Sequence, residues 1–116
     1  MDEVLARCGG QLYALINNGA YGQPGAVDGR TREALRLQFE TNLFGTQELT
    51  NRVLPVMRAR NEGRIVQISS LLGIVCMGYR GAYNASKFAL EALSDTMRLE
   101  LRGTNIYIAL VEPGPI

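Results

Sequence analysis

The 116-residue sequence predicts an α/β fold, with a partial doubly wound parallel sheet in the element order β-α-β-α-β. Three short segments have the composition of strands, because they are rich in Ile, Val, Leu and Tyr; they cover residues 12–17, 64–69 and 105–111. Long helical stretches separate these segments. Crossover connections that contain such helices imply parallel strands with right-handed connections.

Local patterns support each element in turn. The first and third strands are nearly continuous apolar runs, which is typical of strands covered on both faces. Residues 32–60 carry apolar side chains at close to a 3.6-residue period, and Pro55 is expected to kink or restart this helix. Residues 83–102 form a second amphipathic helix, and Gly103 is placed to end it. A short helical piece at residues 2–8 precedes the first strand.

Three parallel strands make a thin sheet for an independent domain, because such strands need neighbours and helical cover. The chain starts close to one buried strand and stops directly after another. Residues 1–116 are therefore expected to form the second half of a doubly wound domain.

Charge and composition exclude several functional classes. The chain has 12 Lys plus Arg against 11 Asp plus Glu, and this net charge of +1 predicts no nucleic-acid partner. No uncharged apolar run approaches the roughly 18–20 residues that a membrane span needs. The sequence contains no His, which excludes His-ligated zinc and Ser-His-Asp triads, and no metal site is predicted.

The two cysteines, Cys8 and Cys76, are far apart in the sequence, and neither belongs to a C-x-x-C pair. This spacing gives no support to a metal cluster or to thioredoxin-like redox chemistry. Two free, partly buried thiols in a reducing compartment are predicted, and the expected location is the cytoplasm.

The residues best suited to chemistry are Ser70, Tyr83 and Lys87. Tyr83 and Lys87 are four residues apart, so they lie on one face at the start of the second helix. An ammonium beside a phenol favours the phenolate, which makes Tyr83 a candidate general acid/base. Ser70 follows a parallel strand at its C-terminal end, where open α/β sheets bind ligands. Taken alone, the Tyr/Lys pair also fits an ordinary amphipathic helix face.

Five ordered stretches show that the pair is not alone. From residue 12 to residue 116 the sequence resembles the C-terminal part of the catalytic domain of short-chain dehydrogenases/reductases. The matching stretches are INNGAYG, ETNLFGTQELTNRVLPVMRAR, GRIVQISSLLG, YRGAYNASKFALEALSDTMRLEL and LVEPGPI. They occur in the family's order, and the serine and tyrosine are 13 residues apart as in the family.

The resemblance implies a catalytic role for four residues. Tyr83 would be the acid/base, and Lys87 would support it and bind the nicotinamide ribose. Ser70 would polarise the substrate oxygen. Asn42 would hold a water that links Lys87 to solvent; the alternative for Asn42 is an exposed helical asparagine.

The resemblance also implies cofactor-binding positions for NAD or NADP. Asn17, Asn18 and Gly19 would steady the central sheet and pass near the cofactor, while Pro113 and Gly114 would shape the turn beside the nicotinamide. The family usually has Asn-Asn-Ala-Gly, but this chain has Gly19 followed by Ala20. Gly19, Gly22 and Gly25 form a G-x-x-G-x-x-G pattern that is interpreted as a loop, because no helix follows directly.

Two elements of the family are absent from these 116 residues. No G-x-x-x-G-x-G turn for the dinucleotide occurs, and no substrate-binding loop follows Pro113 and Gly114. The expectation is therefore a partial Rossmann-like domain, residues 1–116, that lacks the glycine-rich N-terminal half and the C-terminal substrate loop.

The predicted function is that of a short-chain oxidoreductase that transfers hydride between NAD or NADP and an alcohol or carbonyl substrate. Residues 98–116 resemble the retinol and steroid dehydrogenase branch.

A homo-oligomer formed through the two long helices is expected. One alternative is a catalytically silent fragment or association module. Another is an epimerase or dehydratase acting on nucleotide sugars with the same Tyr and Lys.

Overall fold

The computed structural model describes residues 2–19, 22, 25, 27–29 and 31–114. Helix α1 covers Asp2–Arg7 and strand β1 covers Ala14–Asn17. Helix α2 (Arg32–Phe39) continues through a π-helical segment (Glu40–Phe44) into helix α3 (Gly45–Arg60). Strand β2 (Gly63–Ile68), a 3₁₀ turn (Leu71–Gly73), helix α4 (Gly81–Glu100) and strand β3 (Ile106–Val111) follow.

The three strands form one parallel sheet in the order β1-β2-β3. Ile65 at the centre of β2 pairs with Leu15 of β1 and with Ile108 of β3. The predicted α/β class and parallel sheet are confirmed, and each strand begins or ends within two residues of its predicted position.

The hydrophobic core lies between the sheet and the pair of helices α3 and α4. Strand residues alternate between two faces, so every second side chain points to the same layer. The helices pack on one of these layers, and the buried cluster consists of Val53, Met57, Ile65, Met97, Leu101, Ile106 and Ile108. The site described below lies at one end of this layer.

The opposite face of the sheet is exposed in the part of the chain that the structure describes. Ile16 is 64 % exposed and Tyr107 is 53 % exposed, although both belong to apolar strands. The prediction that β1 and β3 are covered on both faces is therefore wrong for this structure. The reason is that α3 and α4, the two longest helices, both pack against the same face.

The first long helical stretch is interrupted at the π-helical segment and not at Pro55. The predicted restart at Pro55 is wrong, since α3 continues through it. A helical proline leaves one carbonyl of the preceding turn without its N–H donor. Pro55 and Asn51 are exposed, so water can hydrate that carbonyl.

The second long helix agrees with its prediction. It ends at Glu100, and Gly103 follows with φ of +87°, a conformation that glycine adopts without strain. Both cysteines are free as predicted, but Cys8 and Cys76 are exposed, so the predicted partial burial is wrong. Within the described residues, no helix is long and apolar enough to cross a membrane.

Candidate active site

The candidate site lies at the carboxyl ends of β2 and β3. Backbone pairing continues beyond the strands, because the Ser69 amide donates to the Val111 carbonyl at 2.7 Å. The Leu71 amide donates to the Pro113 carbonyl at 3.0 Å. These bonds bring the segment after β2, which carries Ser70, beside the Pro113-Gly114 turn that follows β3.

Ser70 is fixed by its own turn. It is the N-cap of the 3₁₀ turn, with an extended backbone, and its Oγ accepts a hydrogen bond from the Leu72 amide at 3.1 Å. A hydroxyl that accepts one hydrogen bond retains its proton for donation. Ser70 can therefore donate to an oxygen in front of it.

Lys87 is held against Tyr83 on the first turns of α4. The Lys87 Nζ atom lies 5.6 Å from the centroid of the Tyr83 ring, and it donates to the Ile68 carbonyl at 2.9 Å. Lys87 is only 2 % exposed. Burial lowers the pKa of Lys87, and the negative charge of Glu91 opposes this shift. The end of β2 and the start of α4 thus hold one buried amine beside one phenol.

Asn42 reaches the same helix through a hydrogen-bond chain. Its Nδ2 donates to Ser86 Oγ at 3.1 Å, and Ser86 Oγ donates to the Tyr83 carbonyl at 2.9 Å. Asn42 is 1 % exposed, so the alternative of an exposed helical asparagine is wrong. It lies in the π-helical segment, and such segments frequently occur at functional sites.

The residues predicted to bind the cofactor at the end of β1 differ in burial. Asn17 is buried, and its Nδ2 donates to Gln67 Oε1 at 2.7 Å and to Thr50 Oγ1 at 3.2 Å, so it ties β1 to β2 and α3. Asn18 and Gly19 are exposed and line, with Asn17, a cavity of about 460 Å³. Ala20 lies outside the described residues.

A larger cavity, of about 660 Å³, brings four of the other predicted residues together, whereas Lys87 and Asn42 do not line it. Ser70, Tyr83, Pro113 and Gly114 all line it. The remaining walls are Gly22, Ser69, Leu71, Leu72, Val75, Cys76, Met77 and Arg80. We call this space the catalytic cavity. Its volume falls within the range of about 300–1,000 Å³ that is usual for small-molecule sites.

Comparison with known proteins gives a family match that extends over the whole chain. The family model for short chain dehydrogenases matches residues 1–116. The chain belongs to the short-chain dehydrogenase family.

Two curated relatives illustrate the range within this family. The uncharacterized oxidoreductase YbbO of Escherichia coli is 47 % identical over 115 residues, which are 99 % of this chain and 43 % of that protein. Human retinol dehydrogenase 8 is 40 % identical over 119 residues, which are 99 % of this chain and 38 % of that protein. The chain thus spans about two fifths of the length of these relatives.

Solved structures of short-chain dehydrogenases superpose closely on this chain. One from Streptomyces avermitilis has a TM-score of 0.94 and 40 % identity, and the match covers 99 % of this chain and 42 % of that one. One from Burkholderia phymatum in complex with NAD has a TM-score of 0.94 and 28 % identity, with coverage of 99 % and 42 %. The serine dehydrogenase complexed with NADP⁺ has a TM-score of 0.90 and 28 % identity, with coverage of 97 % and 47 %.

Two residues at this candidate site, Ser86 and Glu91, escaped the sequence analysis, and the role of a third was missed. Gly22, which the sequence analysis placed in a loop, packs on Tyr83, because a Cβ at position 22 would lie 3.1 Å from Tyr83 Cδ1. Ser86 carries the link to Asn42. Glu91 lies one turn after Lys87, and this i, i+4 spacing is the signal that would have pointed to it.

Glu91 is the most perturbed acid of the site. Burial, together with a hydrogen bond and charge repulsion from Glu112 and the negative charge of Asp95, raises the pKa of Glu91 to about 7. Its Oε2 is buried, and no donor within the described residues bonds to it. Both observations indicate a carboxyl group that gains or loses its proton close to neutral pH. No group of three or more potential metal ligands occurs among the described residues.

Proposed function

We propose that this chain carries the catalytic centre of an NAD- or NADP-dependent oxidoreductase that interconverts an alcohol and a carbonyl compound. One observation carries the proposal: a buried amine, Lys87, is held 5.6 Å from the ring centroid of Tyr83, which lines a cavity together with Ser70. A phenol beside an ammonium and a serine hydroxyl can exchange a proton with a substrate oxygen.

The residues have separate tasks in the proposed reduction. Ser70 donates a hydrogen bond to the carbonyl oxygen, since its hydroxyl proton is not used in the bond that its Oγ accepts from the Leu72 amide. Tyr83 gives its proton to that oxygen as the alcohol forms. The ammonium of Lys87 stabilises the phenolate that remains. In the oxidation, Tyr83 takes the proton back from the alcohol.

The nicotinamide cofactor would supply the hydride, which no protein side chain provides. The cavity fits the nicotinamide end of such a cofactor, because it opens at the carboxyl ends of parallel strands, where dinucleotides bind in open α/β sheets. Pro113, Gly114 and Lys87 would contact its ribose and ring. Asn17 supports the sheet beneath this region, and Asn18 and Gly19 would face the cofactor from the end of β1.

The proposal also includes a substrate class, an oligomeric state and a location. The curated relatives include a retinol dehydrogenase and a 3-ketodihydrosphingosine reductase, whose names indicate alcohol or ketone substrates with a long hydrocarbon body. Homo-oligomerisation and a cytoplasmic location complete the proposal and stay predictions.

A chimera tests the reaction class. Residues 1–116 would replace the equivalent segment of the Burkholderia phymatum short-chain dehydrogenase, whose structure contains NAD and whose remaining residues would complete the domain. We call this protein the chimera. With NADPH or NADH deuterated at the transferable position, we expect deuterium on the carbinol carbon of a reduced aldehyde or ketone. A folded chimera that binds cofactor but transfers no deuterium would contradict the proposal and favour a silent module or an epimerase.

A further inference from the structure

One side of the catalytic cavity is lined mainly by apolar side chains, whereas other parts of its wall carry polar and charged groups. On the side formed by the 3₁₀ turn and the loop after it, the lining is mostly apolar and consists of Leu71, Leu72, Val75, Cys76 and Met77. The polar lining side chains assigned to the reaction are Ser70 and Tyr83. The cavity therefore offers an extended apolar surface beside the reacting oxygen, which suits a substrate with a hydrocarbon body.

Arg80 is the only charged side chain among the described residues that line this cavity. It is half-buried, and no carboxylate in the described part of the chain lies within the 4.0 Å of an ion pair. Its one hydrogen bond there is a long one, from Nη1 to the Tyr79 carbonyl at 3.5 Å. A guanidinium has five N–H donors, so most of its donors are available to a ligand.

The backbone of Arg80 is fixed relative to the catalytic tyrosine. Arg80 is the N-cap of α4, three residues before Tyr83, and its carbonyl accepts from the Asn84 amide at 2.7 Å. It also forms a β-bridge with Gly25, whose amide donates to the Tyr79 carbonyl at 2.9 Å. The Arg80 backbone therefore lies about one helical turn from that of Tyr83, and both residues line the same cavity.

We propose that the substrate of this site carries an anionic group, a carboxylate, on an apolar body, and that Arg80 binds this group. The inference rests on the proposed function and specifies its substrate class. A carboxylate satisfies a guanidinium in a bidentate geometry, which fixes orientation as well as affinity. The apolar lining then receives the hydrocarbon body, and the carbonyl lies before Tyr83.

Binding to the 116-residue chain tests the inference without any hydride transfer. The probes are decanoate and decanol, which share a hydrocarbon chain and differ in charge, and NMR shifts of the Arg80 and Tyr83 signals report binding. We expect decanoate to bind at least about tenfold more tightly than decanol, the ratio that about 1.4 kcal/mol produces. In Arg80→Gln this ratio should fall to about one, with decanol binding unchanged.

Arg102→Gln is the matched control, because Arg102 is exposed and does not line this cavity. It should retain the preference for decanoate, and Arg80→Lys should retain part of it. Circular dichroism checks that each variant is folded. Equal binding of acid and alcohol, binding of neither, or an unchanged ratio in Arg80→Gln would each overturn the inference.

The same variants separate the substrate from the cofactor as the source of the anion. ADP serves as a pyrophosphate probe. Loss of ADP binding in Arg80→Gln, with the decanoate-to-decanol ratio unchanged, would assign Arg80 to the cofactor and overturn the inference. Failure of the proposed function is a separate result, because it appears as absent deuterium transfer in the chimera.

Discussion

Lys87 is the only lysine in the sequence, so a single amine signal reports the charge of the candidate site. Its burial at 2 % exposure is offset by one hydrogen bond to the Ile68 carbonyl and, where Glu91 is ionised, by the negative charge of that carboxylate. A buried amine that kept too low a pKa would lose the positive charge that the phenolate needs. The proposed mechanism therefore depends on the pKa of Lys87, which burial lowers and Glu91 raises.

The pKa of Lys87 can be measured directly. In the chain labelled with ¹⁵N at Lys Nζ, we expect one signal that titrates below the ordinary value of 10.5. Glu91→Gln removes the negative charge that raises the pKa, so this variant should titrate at still lower pH. Glu48→Gln, on an exposed position of α3, is the control and should leave the titration unchanged. A signal at or above 10.5 would show that Lys87 is not buried as described.

The raised pKa of Glu91 also predicts how the free energy of unfolding depends on pH. Its folded-state pKa of about 7 lies above the ordinary 4.5, so the folded state retains a proton that the unfolded state releases. The free energy of unfolding should therefore fall as pH rises from about 4.5 to about 7, and this contribution should be constant outside that window. Lys87, Asp95 and Glu112 are the charged neighbours in this balance.

Urea unfolding at pH 5 and pH 8 measures the effect. Glu91→Gln should lose part of the pH dependence and be more stable than the unsubstituted chain at pH 8, because a neutral amide avoids the buried charge. Glu48→Gln should keep the full dependence. An unchanged pH dependence in Glu91→Gln would contradict the raised pKa.

At the residue scale, the sequence predicted those site residues that are neighbours on one helix or that directly follow a strand. Tyr83 and Lys87 follow from i, i+4 spacing, and Ser70 follows from its place after a strand. The contact of Glu91 with Glu112 joins α4 to the end of β3, so it depends on tertiary packing that no local period encodes. Gly22 is similar, because its contact with Tyr83 crosses from a loop to a helix.

At the scale of elements, the π-helical segment determines where Asn42 points. It joins α2 to α3 without a break in the chain direction, and Asn42 within it reaches Ser86 on α4. Sequence predicted the long helix over residues 32–60 from its apolar period. It could not predict the π-helical segment, because one wider turn changes the period too little to be detected in a short window.

The Asn42–Ser86 bond gives a test of this element. Asn42→Ala and Ser86→Ala should each lower the free energy of unfolding by about 1–3 kcal/mol, because a buried polar partner is left unsatisfied. The double variant should lose less than the sum of the two, since both remove the same bond. Thr96→Ala, on the exposed side of α4, is the control. Strictly additive losses would show that the two side chains are not coupled.

The same variants in the chimera separate structure from catalysis. We expect Asn42→Ala to lower kcat without a large loss of cofactor affinity. An unchanged kcat for each folded molecule would leave Asn42 with a purely structural role.

At the scale of the whole molecule, the distribution of exposed apolar groups is unusual. One face of the sheet exposes Ile16 and Tyr107, α4 exposes Phe88 and Leu93, and α3 exposes Leu49. Sequence predicted the parallel sheet and the two helices that cover it. Continuous apolar strands also suggested cover on both faces, but an apolar residue in a strand does not reveal which element will pack on it.

Self-association through the helices is the expected consequence. Sedimentation of the chain at micromolar concentration should reveal a species larger than a monomer, because burial of these exposed apolar side chains against a second copy favours association. Phe88→Glu combined with Leu93→Glu should shift it to monomer, whereas Tyr107→Glu on the sheet face should not. A monomer before any substitution, or dissociation caused only by Tyr107→Glu, would contradict association through the helices.

The most direct test of the account is the turnover of the chimera with Tyr83→Phe. This change removes only the hydroxyl that exchanges the proton, so the fold and the cofactor affinity should be preserved. We expect kcat to fall by about 10²–10⁴-fold, the usual contribution of a general acid/base. Tyr107→Phe, on the exposed sheet face, is the control and should keep full activity. Retention of most of the original kcat by Tyr83→Phe would contradict the assignment of Tyr83 as the proton carrier.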